Sequence, residues 1–138
     1  MVVDDDANVR AVLRYRFEKE DFSVRVAANG IDALKELDTQ KPDLIVLDLM
    51  MPEMDGIQFL SHLRDNPQTE CIPVIVLTAL APGPQTEQTQ ELGATGLVTK
   101  PFSPRRLVEE IRKTLDTIPM GGTTSAQGRG GLVRSTGA

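Results

Sequence analysis

Short runs of β-branched and aliphatic residues alternate along this chain with longer segments of helical period, and this alternation restricts the fold more than any other feature. The apolar runs are too short for helices, whereas the intervening segments carry apolar residues every three or four positions. Parallel strands need a crossover connection between them, which is usually a helix. The sequence therefore predicts an α/β fold built from five strands and five helices.

The positions of these elements follow from the apolar pattern. The predicted strands are Val2-Val3, Ser23 to Val26, Leu44 to Leu47, Val74 to Leu77 and Leu97-Val98. The stripes of four helices are Val9, Val12, Leu13 and Phe17; Ile31, Leu34 and Leu37; Ile57, Leu60 and Leu63; and Leu107, Ile111 and Leu115. The other helix, Gln85 to Leu92, is polar on all sides, so we expect it to be held weakly. Continuous apolar strands suit the interior and alternating ones an edge, which predicts a doubly wound sheet of order 2-1-3-4-5.

The length of 138 residues fits one domain. We expect residues 1–118 to form it, and the glycine-rich residues 119–138, which have few apolar side chains to bury, to form a flexible tail or linker.

No apolar run approaches the roughly 20 residues of a membrane span, and the acidic start is unlike a secretory signal, so the expected location is cytoplasmic. Cys71 is the only cysteine, which excludes an internal disulfide, and the net charge of −5 disfavours direct nucleic-acid binding.

Polar residues follow four of the predicted strands, at the sheet edge where ligands of open α/β folds bind. In strand order they are Asp4, Asp5 and Asp6; Asp48; Thr78; and Lys100 with Pro101. Neighbouring carboxylates repel one another unless a cation lies among them, and oxygen ligands without histidine favour Mg²⁺. The Lys100 ammonium and the Thr78 hydroxyl are suited to contact the oxygens of a phosphoryl group. A carboxylate can accept such a group, which makes Asp48 a candidate phosphoryl acceptor.

These residues belong to four short motifs that occur in the order of a known family. The motifs are Val2-Val3-Asp4-Asp5-Asp6, Leu47-Asp48-Leu49-Met50-Met51-Pro52-Glu53-Met54-Asp55-Gly56, Leu77-Thr78-Ala79 and Thr99-Lys100-Pro101-Phe102. Over residues 1–118 the chain resembles the receiver domain of two-component response regulators, which has a flavodoxin-like fold. Each motif is common alone, but four at the expected strand ends make the resemblance specific.

The resemblance implies that Asp48 accepts a phosphoryl group from a sensor histidine kinase or a phosphotransfer protein. By the same comparison, Asp4 and Asp5 would join Asp48 in an acidic pocket for Mg²⁺, completed by the backbone carbonyl of Met50. Thr78 would contact the phosphoryl group.

Further implications of the resemblance concern the turns and the output. Lys100 would also contact the phosphoryl group, while Ala79 and Pro101 belong to turns beside the site. The protein would be a phosphorelay switch rather than an enzyme, and it would signal to a downstream protein partner or output domain. A homodimer is compatible with this reading.

Some positions depart from the usual pattern of the family. Leu97 stands three residues before Lys100, where many members have an aromatic residue that moves inward during signalling, so we expect a different route of output. Met50 and Leu80 occupy places from which members influence the attacking water. Neither side chain can orient water by hydrogen bonding, which predicts slow autodephosphorylation.

Two other functions fit part of the sequence. A haloacid-dehalogenase-type phosphatase also uses a strand-end aspartate with Mg²⁺, but that family has a second aspartate two residues later, where this chain has Met50. A receiver-like interaction module that is not phosphorylated is the stronger alternative, given Leu97 and the polar fourth helix. The aspartates from Asp4 to Asp6, taken alone, are more typical of a helix N-cap than of a metal site.

Overall fold

The computed structural model describes residues 1–51, 53–79 and 83–117. In these ranges five parallel strands, in the order β2-β1-β3-β4-β5, alternate along the chain with five helices. The strands are β1 (Val2–Val3), β2 (Val26–Ala27), β3 (Ile45–Asp48), β4 (Val74–Thr78) and β5 (Gly96–Thr99). The helices are α1 (Ala7–Lys19), α2 (Gly30–Thr39), α3 (Gly56–Asp65), α4 (Pro84–Glu91) and α5 (Pro104–Thr117). The predicted α/β class and strand order are confirmed.

Helices cover both faces of the sheet, because successive strand residues point to opposite sides. On one face, the buried residues of α2 and α3 pack on alternate strand positions, and these strand residues are Val3, Ile45, Leu47, Val74 and Val76. On the other face, α1 and α5 pack on the intervening positions, which are Val2, Val46, Ile75, Leu77 and Val98. This double covering explains why β3 and β4 are continuously apolar.

The sequence pattern predicts the second strand at Ser23 to Val26, and this prediction is wrong, because β2 covers Val26–Ala27. Its pairing partner β1 begins at Val2, which is in register with Val26. Residues 23–25 therefore precede the paired part of β1, although the carbonyl of Arg25 accepts a hydrogen bond from the Val2 amide at 2.9 Å. The bounds of the other strands differ from prediction by at most one residue at each end.

Two residues of the predicted helical stripes lie on the outer surface. Val12 of α1 and Ile31 of α2 are 52% and 42% exposed. In α1 the inward line consists of Leu13 and Phe17, four residues apart, and Val12 lies about 100° around the helix from Leu13. Conversely, Phe59 of α3 is fully buried although the predicted stripe omits it.

Helix α4 is polar, as the sequence predicts, and its buried residues are Thr86 and Thr89. The turn that follows it is held by the guanidinium of Arg64, near the end of α3, which donates to four backbone carbonyls at 2.9–3.0 Å. These carbonyls belong to Glu70, Ile72, Leu92 and Gly93. Arg64 therefore ties the connection between α3 and β4 to the turn after α4.

Residues 119–138, for which we predict a flexible tail or linker, lie outside the described residues, as does Leu80. Within the described ranges, no helix combines the length and the apolar character needed to cross a bilayer. Cys71 is a free, exposed cysteine in the connection between α3 and β4.

Candidate functional site

Two neighbouring strands bring carboxylates together at the carboxyl-terminal edge of the sheet. β1 pairs with β3 so that Val3 lies opposite Leu47, and the residues that follow are Asp4 and Asp48. Both are buried, with 0% and 3% of their surface exposed, whereas Asp5 is exposed. Carboxylate oxygens of these three residues lie within 4.8 Å of one another. The register of β1 with β3 therefore places Asp4 beside Asp48, as predicted for residues that follow neighbouring parallel strands.

The ammonium of Lys100 reaches this cluster from the end of β5. Its Nζ donates to Oδ1 of Asp48 at 3.3 Å and to Oδ2 of Asp4 at 3.4 Å. The backbone of Lys100 is itself fixed, because its amide donates to the carbonyl of Thr78 at 2.8 Å. One ammonium thus bridges carboxylates from β1 and β3 across the end of β4.

The ionisation of this pair reflects burial and charge together. The pKa of Asp48 is raised, mainly by burial and secondly by repulsion from the Asp4 carboxylate. The positive charge of Lys100 and the hydrogen bonds from the Met50 amide and from Lys100 lower this pKa, but they offset only part of the rise. Burial by itself lowers the pKa of Lys100, but the charges of Asp48 and Asp4 and the hydrogen bonds to them outweigh it, so the pKa is raised. Burial and the neighbouring carboxylate thus disfavour the charged form of Asp48, and a nearby divalent cation would favour it.

The third aspartate of the first motif has a structural role. Asp6 is the N-cap of α1, and its side chain accepts hydrogen bonds from the amides of Asn8 and Val9. The amide of Asp6 donates to Oδ1 of Asp4 at 2.9 Å, which orients that buried carboxylate. The N-cap interpretation of this motif is thus confirmed for Asp6, while Asp4 and Asp5 join Asp48.

Gly56, the first residue of α3, lies in close contact with the backbone beside Asp48. A Cβ atom there would be 2.5 Å from the Asp48 carbonyl oxygen and 2.7 Å from Cα of Leu49. Its amide donates to the Leu49 carbonyl at 3.0 Å, and Asp55 caps the helix through a reciprocal capping box with Gln58. The start of α3 is therefore built directly onto the end of β3.

The remaining predicted site residues lie at the same edge or beside it. Thr78 is fully buried at the end of β4, next to Asp48 because Asp48 is in register with Leu77. Ala79 follows it and is exposed. Pro101 follows Lys100 in a bend, and the peptide bond between them is cis.

Of the three positions that depart from the family pattern, Leu97 and Met50 lie within the described residues and both are on the surface. Leu97 lies within β5 and is 37% exposed, and Met50 is 56% exposed. The Met50 amide donates to Oδ1 of Asp48 at 3.3 Å, a contact that the sequence does not indicate because any residue supplies an amide.

Sequence reasoning also missed Arg10. This residue lies in the first turns of α1, and its Nη1 donates to the backbone carbonyl of Asp4 at 2.7 Å. An arginine six residues after Asp4 is a detectable signal only once the start of the helix is known.

The residues of the cluster fit a hard divalent cation. Their donors are carboxylate oxygens, and three of them can each offer one ligand atom within a small volume. Mg²⁺ prefers oxygen ligands and usually keeps several waters, which suits a cluster with one exposed member, Asp5.

Comparisons with known proteins agree with this arrangement. Residues 1–112 match the family described as "Response regulator receiver domain". The chain is 40% identical over 115 residues to the alkaline phosphatase synthesis transcriptional regulatory protein PhoP of Bacillus subtilis, covering 83% of this chain and 47% of PhoP. It is 42% identical over 118 residues to the probable transcriptional regulator ycf27 of Cyanidium caldarium, covering 86% of this chain and 46% of that protein. The chain thus spans about half the length of these curated relatives.

Solved structures show the same fold. The signal receiver domain of a signal transduction histidine kinase from Syntrophus aciditrophicus superimposes with a TM-score of 0.80 and 30% identity, over 86% of this chain and 90% of that one. The match over most of the chain, the sheet order and the acidic edge agree with one another. The chain belongs to the response regulator receiver domain family of two-component systems.

Proposed function

We propose that Asp48 accepts a phosphoryl group from a phosphohistidine, in a reaction that depends on Mg²⁺, and that the resulting change is relayed to a protein partner. Receiver domains bind Mg²⁺ at an acidic pocket and interact with histidine kinases or phosphotransfer proteins. The observation that carries the proposal is the bridge from Lys100 to Asp4 and Asp48, within a cluster of three carboxylates. This arrangement supports the proposal because it places a candidate acceptor, a candidate cation site and a positive charge suited to phosphate at one sheet edge.

Asp4, Asp5 and Asp48 would hold the metal, with the backbone carbonyl of Met50 as a further ligand. When bound, Mg²⁺ neutralises the carboxylates and the charge of the transferred group. Asp4 is suited to a fixed ligand because the Asp6 amide holds its Oδ1. Asp5 is exposed and accessible to an incoming ion.

Phosphoryl transfer to Asp48 needs only one covalent step from the protein. A carboxylate oxygen of Asp48 attacks phosphorus, the bond from phosphorus to the imidazole nitrogen of the donor breaks, and the imidazole leaves with that electron pair. Lys100, released from Asp48, would pair with one phosphoryl oxygen, and the Thr78 hydroxyl would donate to another. Positioning and charge neutralisation account for most of such a reaction.

The protein acts on itself in this proposal, so it is a switch rather than an enzyme with an independent substrate. Met50 is 56% exposed, and its side chain offers no group that can orient an attacking water by hydrogen bonding. We therefore expect the aspartyl phosphate to hydrolyse slowly. Met50→Asn should accelerate its loss, measured by intact mass over time, and an unchanged rate would remove Met50 from this role.

The first step of the signal would be felt at the ends of β4 and β5, because Thr78 ends β4 and Lys100 follows β5, whereas its further route would differ from the usual one of the family. Leu97 is 37% exposed on β5, and an aliphatic side chain would repack rather than swing as an aromatic ring does. The receiving partner is a downstream protein or an output domain.

Intact mass spectrometry tests the proposal directly. The chain is incubated with Mg²⁺ and acetyl phosphate, alongside Asp48→Asn, a chelator-treated sample and the matched control Asp38→Asn, which removes an exposed aspartate of α2. We expect one added phosphoryl group in the wild type and in Asp38→Asn, and none in the other two samples. No added mass in folded wild type would favour the interaction module that is not phosphorylated.

A further inference from the structure

We propose that Arg10 is a positioning residue for the acidic pocket, holding the turn from Asp4 to Asp6 in the shape that binds a divalent cation. This inference rests on the proposed function. The guanidinium does not contact a carboxylate of the cluster; its Nη1 donates to the main-chain carbonyl of Asp4 at 2.7 Å. It therefore acts on the peptide that joins Asp4 to Asp5.

The position of Arg10 on α1 makes this contact possible. Side chains of a helix point back toward its N-terminus, so a residue near the start of α1 can reach the turn that precedes the helix. The backbone of Arg10 is fixed there by a hydrogen bond of 3.0 Å from its amide to the Asp6 carbonyl. Arg10 thus connects the first turn of the helix to the end of β1.

Two other hydrogen bonds hold the same turn from different directions. The Asp4 amide donates to the Ala27 carbonyl of β2 at 3.1 Å, and the Asp6 amide donates to Oδ1 of Asp4 at 2.9 Å. With the amide and the side chain of Asp4 held, its carbonyl is the group that Arg10 fixes. Fixing that carbonyl sets the plane of the next peptide and hence the direction in which the exposed Asp5 carboxylate leaves the backbone.

The helix dipole alone disfavours the positive charge of Arg10 near the start of α1. A positive charge near the start of a helix faces the positive end of the helix dipole. Arg14, one turn further along α1, shows the ordinary arrangement, since it pairs with Glu18 on the surface with about half of each side chain exposed. Arg10 is instead partly buried against the acidic turn.

Charge and positioning predict opposite effects on metal binding, which makes the proposal testable. If Arg10 acted only as a nearby positive charge, its removal would strengthen binding of Mg²⁺. If it positions the ligands, its removal weakens binding, as loss of residues that orient metal ligands generally does.

The experiment compares the full chain with Arg10→Met, Arg10→Lys and the control Arg14→Met. Isothermal titration with Mg²⁺ should show binding about tenfold weaker in Arg10→Met, partly restored in Arg10→Lys and unchanged in Arg14→Met. Urea unfolding of each variant separates this effect from a loss of stability. Equal or tighter binding by folded Arg10→Met would overturn the proposal.

A second measurement needs no metal and no phosphoryl donor. Hydrogen exchange of the Asp5 and Asp6 amides in metal-free protein should be several times faster in Arg10→Met than in wild type or in Arg14→Met. Unchanged exchange would contradict the positioning role even if phosphorylation of Asp48 succeeds. Failure of wild type to gain a phosphoryl group, with exchange faster as expected, would reject the proposed function and keep the role of Arg10 in the turn.

Discussion

Replacing Lys100 with methionine would leave Asp4 and Asp48 without the ammonium that contacts both. The two carboxylate side chains are 1% and 4% exposed, and the lysine side chain 25%. At an effective dielectric constant of about 20, each contact of 3.3–3.4 Å corresponds to roughly 5 kcal/mol of Coulomb attraction before the cost of desolvation. Removing one partner of a buried pair usually costs about 3–5 kcal/mol. Because Lys100 is partly exposed, we expect the lower end, about 3 kcal/mol.

Urea unfolding at pH 7 without Mg²⁺ measures this loss. The matched control is Lys113→Met, on the exposed side of α5, which should change the free energy of unfolding by no more than about 0.5 kcal/mol. The same unfolding curves with Mg²⁺ should show a larger gain for Lys100→Met than for wild type, since the cation replaces the missing charge.

The pH dependence provides a further test. The pKa of Asp48 is raised in the folded protein, so its charged form destabilises the fold at pH values above that pKa, and this penalty disappears as the pH falls through it. Loss of the lysine raises that pKa further, so the deficit of Lys100→Met should shrink on acidification. A deficit that is independent of both pH and Mg²⁺ would refute the electrostatic reasoning and indicate lost packing instead.

Three further predictions follow from the same geometry. Asp48→Asn should raise the free energy of unfolding in metal-free buffer at pH 7, measured with urea, because burial and repulsion raise the pKa of Asp48; a lower stability would contradict this. Gly56→Ala should cost about 2 kcal/mol, because its Cβ would be 2.5 Å from a backbone oxygen, whereas Gly96→Ala, whose nearest atom is at 3.8 Å, should be tolerated; equal melting temperatures would refute it. Arg64→Lys should lower the free energy of unfolding by about 2 kcal/mol, because one ammonium cannot reach four carbonyls; an unchanged urea midpoint would show that these contacts contribute little.

The sequence predicts a strand well where a continuous apolar run marks it. β3 and β4 are apolar on both faces, so their apolar runs identify them to within one residue. β2 is different, because residues 23–25 alternate like a strand although the register with β1 starts at Val26. Val12 is apolar but outward facing, and only packing against the sheet decides which side of α1 turns inward.

The site divides in the same way. Asp4, Asp48 and Lys100 are predictable, because residues that follow parallel strands must meet at one edge. The amide of Met50 and the contact from Arg10 to the Asp4 carbonyl are not, since both depend on the path of the main chain. The residue types alone do not separate the roles of the three consecutive aspartates. In the structure Asp4 and Asp5 are candidate metal ligands, whereas Asp6 caps α1.

The charge balance of this edge links the fold to the proposed switch. Three carboxylates meet there, and among the described residues the ammonium of Lys100 contacts two of them. Burial and then repulsion from Asp4 raise the pKa of Asp48 despite the contact with Lys100, so the charged form of Asp48 carries an electrostatic cost in the metal-free fold. Under the proposed function, a divalent cation would remove that cost, whereas phosphorylation would add negative charge to Asp48 and increase the demand for Lys100. Since the amide of Lys100 donates to the Thr78 carbonyl, a shift of the Lys100 backbone that accompanied movement of its ammonium toward a phosphoryl group would reach the end of β4. Under the proposed function, the electrostatic deficit at Asp48 would therefore also favour the rearrangement of Lys100 that starts a conformational signal.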